Sequence, residues 1–164
     1  MQRFFAITAL LGSLSISTAY AAPNSFFNGL SGSWSGSGQA YLSRFGEVSA
    51  NCRLAVTGAG TQVAMKGSCG KLVFSRPVGL TIKNAGGNRY IGTYTGSRTG
   101  PAKLEGTLQG DRLIMNIRWG GLVNGDRTAQ MVLERTGPNS FAQTVNDRVA
   151  GINRSTSSFA FKRR

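Results

Sequence analysis

The chain has 164 residues, with 19 Lys and Arg against 6 Asp and Glu, no His, and a formal net charge of +13. Hydrophobic residues reach 40% and charged residues only 15%, which allows one modest core and does not fit a charged disordered tail. Gly is abundant without a G-X-Y period, which excludes collagen, and the missing His removes the commonest general base, metal ligand and neutral-pH switch.

Met1-Gln2-Arg3, an apolar run from Phe4 to Leu14, and Ala19-Tyr20-Ala21 before Pro23 read as a secretory signal peptide over 1–21. Cleavage after Ala21, with Ala22 as the alternative site, leaves a periplasmic or secreted chain of formal charge +12. The apolar run is too short to span a bilayer as a helix, and no later segment approaches that length. A short segment, 22–30, follows. Its Phe26-Phe27 pair reads as an exposed apolar element seeking a protein partner.

From 31 to 145 the residues alternate with period two between regularly spaced turn signals. Trp34, Gly36, Gly38, Ala40 and Leu42 share a face of the first strand. Val48, Ala50, Cys52, Leu54 and Val56 share a face of the second, and Val63, Met65, Gly67 and Cys69 a face of the third. Gly58-Ala59-Gly60 marks the turn between those two. In an exported domain two cysteines predict one structural disulfide. Setting Cys52 opposite Cys69 also sets Leu54 opposite Gly67 and Val56 opposite Met65, so disulfide, register and core direction agree. The alternative is a pairing across a sheet corner.

Val78–Ile82 and Arg89–Thr95 read as further strands. A two-residue turn at Gly110-Asp111 pairs Leu108 with Leu113, Gly106 with Met115, Leu104 with Ile117 and Ala102 with Trp119, small against large. Asn124-Gly125 is a second tight-turn signal, before strands over Arg127–Glu134 and Ser140–Val145. No stretch reads as an amphipathic helix of ordinary length. The expected fold is all-β: a small antiparallel up-and-down barrel of 8–10 strands with one disulfide. From 146 to 164 the periodicity fades, and the segment reads as a mobile basic tail.

Gly32-Ser33-Trp34 at the head of the first strand of an exported meander resembles the calycins, the group of lipocalins, avidins and small bacterial metalloprotease inhibitors. The resemblance implies a calycin-like barrel whose narrow end is closed by Trp34, stacked on an arginine of a late strand. Arg127 and Arg135 are the expected suppliers. The early cysteine pair also looks like that of the bacterial inhibitors.

Catalysis is not expected. With no His and no free Cys, a nucleophile needs a Lys or carboxylate partner, and Glu47, Glu105, Asp111, Asp126, Glu134 and Asp147 are scattered. A carboxylate-pair enzyme has no positive signal. No metal site and no cofactor are expected, and neither Gly86-Gly87 nor Gly120-Gly121 opens a helix as a phosphate loop must. The arginines spread through the domain are the main functional hint, since such a field draws anionic partners. In an exported protein these are anionic lipids or envelope polymers, and nucleic acid is not expected. Tyr90 and Tyr94 share a face that reads as core or as a ligand-facing stripe, with Arg89 and Arg118 as candidate anion contacts. The expected function is a binding protein of the envelope for an apolar or anionic amphipathic ligand. The alternatives are a filled-barrel interaction or inhibitor protein, a membrane-inserted barrel as a minor reading and, least supported, a carboxylate-pair enzyme.

Overall fold

The computed structural model describes residues 25–71 and 73–164, and the expected signal peptide lies outside the described residues. A single 3-10 turn, Ser25–Phe27, leads into ten strands: β1 (Gly32–Leu42), β2 (Gly46–Ala59), β3 (Gln62–Lys71), β4 (Phe74–Asn84), β5 (Tyr90–Thr95), β6 (Ala102–Gln109), β7 (Arg112–Val123), β8 (Asp126–Gly137), β9 (Ser140–Val149) and β10 (Ile152–Arg163). Each strand pairs antiparallel with its neighbours in sequence, and β1 pairs with β10. The sheet is therefore a closed barrel with no free edge.

The two hairpin registers follow the alternation. Cys52 faces Cys69, Leu54 faces Gly67 and Val56 faces Met65, and the cysteines form the disulfide across β2 and β3. The turn sits one residue later than the glycines suggest, at Gly60-Thr61, with Ala59 paired to Gln62. In the second hairpin Gly106 faces Met115, Leu108 faces Leu113, and Gly110 takes a φ of 59° in the two-residue turn, a backbone region that a Cβ resists. Small residues opposite large ones let Met115, Leu113 and Met131 fill the interior with no exposed surface.

The chain end is not a tail. Residues 152–163 form β10, in register with β9 on one side and β1 on the other. Phe159 and Phe161 point inward and lie over Gly38 and Gly36 of β1, where a Cβ would collide with both rings. Phe161 stacks on Phe141 with centroids 4.6 Å apart, and Phe141 meets the edge of Trp34 at 4.8 Å. The alternation of β10 is hidden by a register shift between Ser155 and Ser157. A bulge adds one residue and flips the facing of all that follow, so 152–163 does not read as one strand.

Candidate functional site

An up-and-down meander sends its loops alternately to two ends. The Trp34 end carries the turns β2–β3, β4–β5, β6–β7 and β8–β9, while the opposite rim carries β1–β2, β3–β4, β5–β6, β7–β8 and β9–β10. The Trp34 end is plugged. Phe26 and Phe27 are buried there, 7% and 1% exposed, with Phe27 edge-on to Tyr90 at 5.8 Å. This corrects the reading of these rings as an exposed partner contact: the segment is short enough to fold back over the barrel and cap its core. Trp34 donates from Nε1 to the Leu30 carbonyl at 2.8 Å, which ties the plug to β1.

The arginine on Trp34 is neither of the two expected. Arg163, at the end of β10, places its guanidinium 4.6 Å from the Trp34 ring centroid. It also donates to the carbonyls of Gly29 and Ser31, and to Asn139 Oδ1 at 3.0 Å. Gly32 leaves the room, since a Cβ there would strike the Arg163 Nη1. The G-x-W tripeptide thus has a physical content: Gly admits the cation and Trp supplies the face beneath it. Arg135 serves the same end differently, donating from Nη1 to the carbonyls of Phe26 (3.2 Å) and Asn28 (2.6 Å). Arg127 lies at the opposite rim, at the start of β8, and is exposed.

Tyr90 and Tyr94 face inward, whereas Arg89 and Arg118 are exposed on the outside. The four do not converge on one ligand. Alternation turns adjacent residues to opposite sides of the wall. Tyr94 packs edge-on against Trp119 at 6.2 Å, and burial raises its phenol above the ordinary range while Arg76 opposes that shift. The Tyr90 hydroxyl and the Trp119 Nε1 are buried without a hydrogen-bond partner. Arg89 is spent on Glu105, Nε to Oε1 at 2.8 Å.

Arg118 belongs to a different arrangement, on the outer wall. It stands directly opposite Lys103 in the β6–β7 ladder. The same cross-strand row runs from Thr81 on β4 through Thr93, Lys103 and Arg118 to Thr128 on β8. These residues, with Thr57, Lys83, Asn116 and Glu105, line an outer concavity, and Glu105 is neutralised there by Arg89. Like charges placed directly opposite one another on a sheet are unfavourable, by up to about 1 kcal/mol. Two cations among hydroxyl groups form a surface that an anion stabilises. The predicted turn at Gly110-Asp111 already implies this pair, since Leu104 opposite Ile117 sets Lys103 opposite Arg118; what the structure adds is the row of hydroxyl groups around it.

All the acids but Asp111, exposed in the β6–β7 turn, have structural partners. Glu105 pairs with Arg89, Glu134 with Arg112 (3.7 Å) and Glu47 with Arg154 (3.4 Å). Asp126 accepts from the Thr128 backbone N–H at 2.7 Å. Asp147 is 4% exposed, accepting from Asn124 Nδ2 at 2.9 Å and from the Arg148 N–H at 2.7 Å. The outer wall carries Arg53, Lys66, Lys83, Lys103 and Arg118, all exposed, around an apolar interior. That polarity is the reverse of a barrel immersed in lipid.

No family model matches the chain, and no curated protein matches its sequence. Among solved structures it is similar to the crystal structure of Rv2717c from M. tuberculosis, with a TM-score of 0.62 and 13% identity, over 84% of this chain and 94% of that one. At that identity the likeness concerns the fold.

Proposed function

We propose that the protein is an exported, non-enzymatic binding protein with a calycin-like barrel, and that it takes an anionic component of the cell envelope on its outer wall. The Lys103–Arg118 pair carries this reading: two exposed cations face each other across a ladder in a row of threonine hydroxyls, and the carboxylate nearby in the concavity, Glu105, is paired to Arg89. The Arg163–Trp34 closure supports the calycin-like assignment, and the aromatic filling of the barrel favours an external site over an internal one. Arg is suited to phosphate through its planar fork, and a charged row along the wall suits an extended phosphate-bearing polymer.

The test is titration with inorganic polyphosphate, followed by backbone amide shifts and repeated at rising salt. Lys103→Glu is expected to weaken binding at least tenfold while leaving the barrel slightly more stable, since Glu would pair with Arg118. Arg44→Glu, in the β1–β2 turn and away from strands β4–β8, should change affinity less than threefold. Equal losses from the two variants, or amide shifts spread evenly around the barrel, would overturn the assignment of the site.

A further inference from the structure

The large apolar side chains exposed among the described residues are Phe45, Val73, Phe74, Leu122 and Ile152, each between 66% and 88% exposed. They come from distant parts of the chain, yet topology brings them to one end. Phe45 lies in the β1–β2 turn, Val73 and Phe74 at the β3–β4 turn, Leu122 beside the β7–β8 turn, and Ile152 beside the β9–β10 turn. All are on the rim opposite Trp34. The loops at the Trp34 end present Thr61, Asn88, Asp111 and Asn139 instead.

Cations accompany the apolar tips. Arg44 precedes Phe45, Lys71 ends β3, Arg98 occupies the β5–β6 loop, Arg127 begins β8 and Arg148 lies near the end of β9, all exposed. Ion pairs among the described residues engage Arg89, Arg112 and Arg154, and none of these five. Of the acids at this rim, Glu47 is paired to Arg154, Asp126 caps its own turn and Asp147 is buried.

We infer that this rim docks on an anionic bilayer surface, its hairpin tips entering the headgroup region and its cations meeting lipid phosphates. The tips form a ring of separate points on four hairpins and not one contiguous patch. A folded protein partner would need four matching pockets, whereas a fluid interface accepts any such ring. The collar of unpaired cations supplies the charge complementarity. The charged outer wall stays in water, so the barrel stands on its end. The groove runs up to this rim, with Lys103 second in β6 and Thr128 third in β8, and the apolar tips extend the proposed function to a second surface beside it.

The experiment is flotation of the full mature chain with vesicles of phosphatidylcholine alone or of an equimolar mixture with phosphatidylglycerol. Partitioning to the mixed vesicles is expected, with little to the neutral ones. Phe74→Ser should reduce partitioning about tenfold, and Phe45→Ser by a similar factor. Arg98→Glu should reduce it at least fivefold. These side chains are exposed, so thermal melting should be unchanged. Phe74→Trp should be quenched by brominated lipid. Flotation that survives the Ser variants without quenching would overturn insertion. Absence of flotation, with polyphosphate still bound at Lys103–Arg118, would overturn bilayer docking and leave the groove standing. Concentration-dependent self-association that the Ser variants abolish, with vesicles ignored, would assign the rim to a second copy and overturn the inference.

Discussion

Removing the Arg163 guanidinium tests how the barrel is closed. Arg163→Ala deletes a cation held 4.6 Å from the Trp34 centroid, worth about 0.5–1 kcal/mol at a partly buried site. It also deletes side-chain donors to Gly29, Ser31 and Asn139. These are partly solvated, so each contributes roughly 0.5–1 kcal/mol net. The expected loss is about 2–4 kcal/mol, read as a shift of the urea midpoint at constant slope. Arg163→Lys keeps the charge but not the fork, and should lose about half as much. The loss should be local as well as global: residues 26–31 are held by Arg163 and Arg135 together, so limited proteolysis should cut there first. Because both arginines grip one segment, the double Ala variant should lose less than the sum of the singles. A change below about 0.5 kcal/mol in Arg163→Ala, or strict additivity with Arg135→Ala, would refute the clamp.

The Cys52–Cys69 bridge closes a loop of sequence separation 17, so replacing both cysteines with Ala should cost about 3 kcal/mol in urea unfolding without changing the register of β2 on β3. The Tyr90 hydroxyl is buried without a partner, and Tyr90→Phe should be neutral or stabilising by roughly 1 kcal/mol; a clear loss of stability would mean that the hydroxyl is paired. Burial holds the Asp147 carboxyl above its ordinary range against the donors Asn124 and Arg148, with Asp126 adding a like charge. The folded state then binds this proton more tightly than the unfolded chain, so the residue's contribution to stability falls as pH rises from the ordinary aspartate value through the raised one. Asp147→Asn should flatten the melting temperature across that window, and a wild type that instead gains on the variant with rising pH would contradict the reasoning.

Much of the wall was legible in the residues. Period-two alternation is local, and within a hairpin the turn sets the register, so Cys52 opposite Cys69 and Leu108 opposite Leu113 follow from spacing and face. The candidate surfaces were less legible. The predicted β6–β7 register already set Lys103 opposite Arg118, but the threonines of β4, β5 and β8 in the same row join only once the neighbouring strands pair. Phe45, Phe74, Leu122 and Ile152 look like isolated turn residues until the strand count assigns each turn to an end. Phe26 and Phe27 gave the opposite impression, because nothing in their own segment shows that it folds back into the barrel.

By itself, then, the order of residues determined the class of fold, the inward faces, the disulfide and the tight turns, all of which depend on contacts between near neighbours. The tertiary structure alone decided the closure. Residues 152–163 become a strand because β1 and β9 would otherwise each leave an edge unpaired, and pairing them brings Trp34 to Arg163 across nearly the whole domain. That same closure selects Arg163 over Arg127 and Arg135. It also curls the apolar hairpin tips, which the meander sends to one end, into a single rim.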